Sequence, residues 1–301
     1  MRRPAPRPVA VPPWGLAVVA MGSVQLGSAL SVHLIATVGP AGTAWLRLSM
    51  GALIFVALAR PPLRSIRRRD LAPLIGLGVT TGLQTIAFLS AIDRVPLGTA
   101  VAIEFLGPLT VAAVRSHSRR ALAWPALALL GVVLLTQPWH GHPNPAGLGF
   151  AALSAVGWAV YILLTQQVGD RFTGIQGLSL TMPISAVTAA TLGVPQASGH
   201  LSWGILPAAA GLAVLLPVLP YACEMLALRR MNPAAFGTLM ALEPAFGVLL
   251  GLLVLHQRLS AGQLAGILLV VLAGAAAQRG GRREPPPAEP SSPRADFDFV
   301  G

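Results

Sequence analysis

Ten apolar runs fill most of this sequence, and each is long enough to cross a lipid bilayer as a helix. They cover residues 14–36, 42–59, 71–92, 96–114, 121–137, 147–167, 173–193, 203–228, 234–255 and 261–278. Crossing roughly 30 Å of hydrocarbon takes about 20 residues at a rise of about 1.5 Å each. Backbone breakers separate the runs: Gly39-Pro40, Arg60-Pro61-Pro62, Pro138 to Pro145, Gly193 to Gly199 and Asn232-Pro233. No run alternates with a period of two, which excludes a membrane β-barrel. The expected fold is an all-α membrane protein with ten transmembrane helices.

Composition supports this. Of 301 residues, 54% are hydrophobic and only 10% charged, against roughly 25% charged in a soluble domain. The first apolar run follows Arg2, Arg3 and Arg7 and extends over about 23 residues. That exceeds the roughly 7–15 residues of a signal-peptide core, so it is expected to be an uncleaved first span. The single Cys223 excludes an intramolecular disulfide and a cysteine-based zinc site.

The net charge of +11 is carried by arginine alone, since the chain has no lysine. The arginines cluster between the apolar runs, as membrane topology requires, rather than forming a face for nucleic acid. With the N-terminus in the cytoplasm, eighteen of the 21 arginines fall in cytoplasmic segments. Arg94 and Arg258 fall outside, and Arg47 lies within a span. This asymmetry predicts that both termini are cytoplasmic. The stretch from Arg279 to Gly301 is rich in Pro, Glu, Ser and Arg and is expected to be a disordered cytoplasmic tail.

An internal repeat is visible. The run AIDRVPLGTAVAIEFLGP begins at Ala91, and ALRRMNPAAFGTLMALEP begins at Ala227. A shift of 136 residues places Arg94 on Arg230 and Pro108 on Pro244. A five-span unit has an odd number of crossings, so its second copy enters from the opposite side, a plan common among secondary transporters. The predicted organisation is a cytoplasmic segment 1–13, a five-helix half 14–137, a second half 147–278 and the tail 279–301.

Ionisable residues inside the membrane are the strongest functional signal, because each costs about 2.5–3.5 kcal/mol or more at mid-bilayer. Glu104 lies one turn before Pro108, where the missing backbone N–H opens a polar notch. It is a candidate proton or substrate-amine site; the competing reading pairs it with Arg47 for assembly. Glu243, immediately before Pro244, is its repeat-related neighbour. Arg47 could hold a ligand carboxylate bidentately, or serve as a structural partner for a glutamate. Glu224 lies close to Arg229 and Arg230 and reads as an interfacial ion pair. Trp158 and Tyr161 are three residues apart and share a helix face that could stack on a ligand. Gln25, Ser28, Ser31, His33 and Gln84 add polar atoms within spans one and three. Gln25 is the one assigned to the site, and helix–helix hydrogen bonding accounts for the rest. His140 and His142 read as a solvated loop rather than a metal site. Small-residue pairs Gly78/Gly82, Gly247/Gly251 and Gly262/Gly266 let helices approach closely.

No phosphate loop, zinc-hydrolase motif or nucleophile elbow is present, so ATP is not the expected energy source and neither a cofactor nor a resident metal is expected. The expected partners are a small-molecule substrate, protons and the lipid bilayer, with no nucleic acid. A membrane-embedded enzyme acting on lipid-linked substrates would need an acid/base or metal cluster at one membrane face. The polar residues here are sparse and mid-span, which argues against an enzyme.

Five runs, AWLRL from Ala44, VPLGTAVAIEFLGPL from Val95, GWAVYIL from Gly157, LPYACEMLAL from Leu219 and FGTLMALEP from Phe236, resemble the drug/metabolite transporter superfamily of EamA type. Within it, the sequence is most similar to bacterial threonine/homoserine exporters, over roughly residues 14–278. The resemblance implies efflux of small neutral amino acids across the bacterial inner membrane by proton antiport. Another metabolite, a nucleobase or a drug is the alternative substrate within the superfamily. Many relatives end span nine with Leu-Gly-Glu; here Leu255, His256 and Gln257 stand instead, and any role of that carboxylate does not transfer.

Overall fold

The structure, a computed structural model, describes residues 12–280 apart from 60–63, 65, 116–121, 138–143, 170, 173–174, 229, 231–235 and 237–238. The predicted breaks at Arg60-Pro61-Pro62 and Asn232-Pro233, the His140/His142 pair, residues 1–11 and residues 281–301 lie outside the described residues. Among the described residues the chain is all helical, with no strand.

The first element, α1 (Pro13–Ala59), contains two limbs. Gly39 breaks it at φ 74° and ψ 168°, a backbone conformation that glycine reaches freely. The chain reverses there. Arg47 and Ser31 each lie eight residues from Gly39, and a straight helix would hold them about 24 Å apart; instead Arg47 Nη1 donates to Ser31 Oγ at 3.4 Å. The break frees the first N–H groups of the second limb. Gln196 supplies the missing acceptor: its Oε1 receives Ala41 N at 2.7 Å and Gly42 N at 3.1 Å.

α2 (Arg68–Ile92) starts on a cap in which Asp70 Oδ2 accepts from Arg67 N at 2.9 Å. Asp70 Oδ1 also accepts from Arg171 Nη1, tying this helix start to a segment about a hundred residues further along the chain. The fourth predicted span is divided into α3 (Leu97–Glu104) and α4 (Leu106–Arg115) by a turn at Phe105. Pro108 has no N–H to give the Glu104 carbonyl, which loosens the helix at that point. α5 (Ala123–Thr136) and α6 (Pro145–Gly169) follow. α7 (Ile175–Ala197) continues through Gly193 and Pro195, four residues past the predicted end of the seventh run and into the predicted break. Its last turn carries Gln196 to the α1 break.

The eighth predicted span contains α8 (Ile205–Ala213), a π-helical segment Val214–Val218 and α9 (Leu219–Leu228). The backbone leaves helical geometry at Leu216, next to Pro217. The Leu215 carbonyl in this segment accepts from Ser23 Oγ at 2.6 Å. α10 (Glu243–Leu255) has Pro244 in its first turn, where its missing N–H costs nothing. α11 (Ala261–Gly280) closes the bundle.

Six helices among the described residues are long and apolar enough to cross a membrane, and three shorter apolar helices accompany them. Large apolar side chains such as Leu53, Val187 and Leu253 point outward from the bundle, as a lipid-facing surface requires. Packing is pairwise: α1 against α7, α2 against α6, α3 against α10, α5 against α11, and α1 against the α8–α9 segment.

The α5–α11 contact is a close crossing that glycine makes possible from both sides. A Cβ on Gly131 would meet the Gly266 carbonyl, and a Cβ on Gly266 would meet the Gly131 carbonyl. Neither backbone can yield to a side chain there. Replacing Gly131 or Gly266 by Leu is therefore expected to destabilise the fold by about 1–3 kcal/mol or more. Gly149→Leu and Gly211→Leu, where nothing lies within 4 Å, should leave the melting temperature of the detergent-solubilised protein unchanged.

Candidate functional site

A cavity of about 390 Å³ lies between the helices, at the small end of ligand-site volumes of about 300–1,000 Å³. It is where the interruptions of the bundle converge. Both limbs of α1, the α3–α4 turn, the π-helical segment and the start of α10 all contribute to its wall. All six residues assigned to a site from the sequence line it: Gln25, Arg47, Glu104, Trp158, Tyr161 and Glu243.

Arg47 is 4% exposed, and Ser31 Oγ is the hydrogen-bond acceptor of its guanidinium. It forms no ion pair with Glu104 or any other carboxylate among the described residues. Arg47 and Glu104 line the same cavity and interact electrostatically without a direct ion pair. A guanidinium presents five N–H donors in a planar fork.

Glu104 is held from two sides. Its Oε1 accepts from Ser154 Oγ of α6 at 2.5 Å and from Gln84 Nε2 of α2 at 3.3 Å. These bonds bridge three helices and fix the carboxyl beside Phe105 and Pro108. Gln84 shares its α2 face with Thr81, Thr85 and Phe88, at helical spacing, and all four reach the cavity. Close approach of α6 makes the arrangement possible: a Cβ on Gly157 would meet Gln84, and a Cβ on Gly107 would meet the Ala155 carbonyl. Glu243 opens α10 and is 7% exposed.

Aromatic rings complete the wall. Trp158 meets Phe105 edge to face, with centroids 6.2 Å apart. Tyr221 meets Phe55 in the same manner at 6.1 Å. Edge-to-face pairs of this kind hold ring orientation.

Glu224 departs from its sequence-based reading. It lines the cavity and makes no ion pair with Arg230 among the described residues. Its nearness in sequence to Arg229 and Arg230 suggests an interfacial pair; Arg229 lies outside the described residues, and Glu224 reaches the cavity wall. Gln84, assigned only to helix–helix bonding, is a partner of Glu104. Ser154 carried no signal at all, since serine is common in membrane helices. His33 is exposed and lies off the cavity wall. No cluster able to hold a metal ion occurs among the described residues.

The two ends of the bundle differ. At one end, amide side chains tie separate segments together. Gln196 holds Ala41 and Gly42, Gln257 Oε1 accepts from Leu97 N at 3.2 Å, and Gln137 Nε2 donates to Ser260 Oγ at 2.7 Å. Gln257 thus caps the start of α3. The other end carries Arg64, Arg67, Arg68, Arg69, Arg115, Arg171 and Arg230. Tyr161, Met182 and Glu224 of the cavity wall lie within about two turns of that arginine-rich end.

Comparison with known proteins adds to this geometry. The EamA-like transporter family matches residues 145–276. The threonine/homoserine exporter RhtA of Salmonella typhimurium strain LT2 is 36% identical over 252 residues, which cover 83% of this chain and 85% of that protein. The threonine/homoserine exporter RhtA of Escherichia coli strain K12 is 35% identical over 258 residues, covering 85% and 87%. A crystal structure of a protein with 20% sequence identity superposes with a TM-score of 0.58, covering 87% of this chain and 96% of that chain. At such identity the likeness shows the fold alone.

The position of Glu224 gives an accessibility test. In a Cys223→Ser background, Glu224→Cys should react with a membrane-impermeant maleimide in vesicles that expose the arginine-rich end. It should react far more slowly in vesicles that expose the opposite end, where the amide ties lie.

Proposed function

The chain belongs to the EamA-like transporter family, and on that premise we propose that it exports small neutral amino acids of the threonine and homoserine type by proton antiport across the bacterial inner membrane. The observation that carries this reading is Arg47. A buried guanidinium with no direct ion pair among the described residues shares one cavity with three carboxyl groups, those of Glu104, Glu224 and Glu243. A zwitterionic amino acid complements that arrangement. Its carboxylate takes the fork of Arg47, and its ammonium is received by the carboxylates of Glu104 and Glu243. The relatives at 35–36% identity are named as threonine/homoserine exporters, which supports the substrate class.

Ten membrane crossings in two inverted halves, 14–137 and 147–278, fit this reading. The two limbs of α1 make two crossings, because the chain reverses at Gly39. The helix pairs follow a pseudo-two-fold pattern. Equivalent spans of the two halves pack on each other (the fourth, through α3, on the ninth, through α10, and α5 on α11), and the reciprocal contact of Gly131 with Gly266 lies close to that relation. The family match at 145–276 nearly coincides with the second half. Both termini then lie in the cytoplasm with the arginine-rich end, and the amide ties lie outside.

Export proceeds by alternating access around this fixed site. A substrate entering from the cytoplasmic end neutralises Arg47 and competes with protons for Glu104 and Glu243. Breaking the ties made by Gln196, Gln257 and Gln137 opens the outer end. Protons arriving from outside displace the ammonium from the carboxylates, and the loaded carboxyls return inward. Coupling therefore requires carboxyls that cannot be replaced by amides.

Cells loaded with labelled threonine or homoserine test this. Wild type should accelerate efflux, and a protonophore should abolish the acceleration. Glu104→Gln and Glu243→Gln should each lose at least about tenfold in proton-coupled efflux at normal expression, and Arg47→Gln should lose as much. Full proton-coupled efflux by both glutamate variants would overturn the assignment of the proton site.

A further inference from the structure

Gln25, Ser28 and Ser31 recur every third residue along the first limb of α1, so they share one face of the helix. Ser31 is fully engaged: its hydroxyl donates to the Gly27 carbonyl at 2.7 Å and accepts from Arg47. The other two differ. Gln25 Oε1 and Ser28 Oγ are buried and have no hydrogen-bond partner among the described residues. Their residues are 2% and 0% exposed, and both line the cavity. A helical hydroxyl ordinarily bonds back to the carbonyl one turn earlier, as Ser31, Thr43, Thr81 and Thr85 all do. Ser28 does not. Two buried polar atoms on a ligand cavity, one a pure acceptor and one a hydroxyl, form a built recognition surface.

We propose that Gln25 Oε1 and Ser28 Oγ are the subsite for the substrate's side-chain hydroxyl, and that they make this exporter select hydroxylated amino acids over aliphatic ones of the same shape. The inference rests on the reading that the substrate is an amino acid whose carboxylate meets Arg47. A hydroxyl is both donor and acceptor, so it can donate to the Gln25 amide oxygen while accepting from the Ser28 hydroxyl. A methyl group can do neither. An ammonium can only donate, and the carboxylates elsewhere in the cavity serve it better. The register also fits. Ser28 lies one turn from Ser31, the residue that fixes Arg47, or about 4.5 Å along the helix axis. That spacing suits a ligand holding a carboxylate at one end and a hydroxyl two or three bonds beyond its α-carbon.

Hydrogen-bonding sites reject analogues lacking the polar group far better than apolar pockets reject a changed shape. The test therefore uses isosteric pairs: threonine against valine, and homoserine against norvaline. Wild-type protein in liposomes, assayed by counterflow of labelled threonine, should prefer each hydroxylated member on the order of 100-fold. Ser28→Ala and Gln25→Leu should each reduce that ratio, and the double variant should bring it close to unity. Equal transport of threonine and valine by wild type would overturn the subsite while leaving the amino-acid reading intact, and it needs no variant to fold. Full discrimination in the folded double variant would also overturn it. Transport of none of the four amino acids by wild type would overturn both readings together.

Discussion

A buried guanidinium that makes no direct ion pair among the described residues governs much of this structure. An arginine at mid-bilayer costs about 2.5–3.5 kcal/mol on insertion scales and more on an isolated helix, and Arg47 is buried within an apolar bundle. The fold meets that cost by reversing α1 at Gly39, so that Ser31 can face the cation and the bundle can enclose it. The reversal in turn leaves free N–H groups at the start of the second limb. Gln196, at the far end of α7, answers them. One buried charge thus connects the α1 hairpin, the length of α7 and one closed end of the bundle.

The interruptions serve the same site. Regular membrane helices satisfy their own backbone and offer a ligand only side chains. Here the chain departs from regular helix at Phe105, at Leu216 and ahead of Glu243, and each departure borders the cavity. Proline is the common cause, at Pro108, Pro217 and Pro244. The apolar neighbours remain tightly packed, as the Gly131–Gly266 contact and the glycine contacts of α2 with α7 illustrate. The result is a rigid frame with irregular backbone confined to the cavity wall, which suits a transporter whose halves move as units.

Much of this was legible in the sequence, because membrane burial leaves few choices. Most of the apolar runs begin and end within a few residues of a helix, although the fourth and eighth are interrupted and α10 begins only at Glu243 within the ninth. The cost argument picked out Arg47, Glu104 and Glu243 from a handful of deep ionisable residues. Two kinds of information were not legible. Helix rotation is invisible where apolar residues surround a helix on every side, so Glu224 could not be seen to face inward. Partners across helices are equally hidden: nothing in the sequence linked Ser154 to Glu104, or Gln196 and Gln257 to helix starts more than 150 residues away. Gly193 and Pro195 were read as an ending, yet α7 runs on to Ala197 because its last turn has a tertiary role.

The central claim is that substrate and protons compete for the same buried carboxyls beside Arg47. Its most direct measurement is proton release when threonine binds the purified protein in weakly buffered detergent solution. Binding that releases protons, with release lost when the carboxyls are replaced by amides, is the result this account predicts. Threonine binding of normal affinity with no proton release at any pH between about 5 and 8 would contradict it.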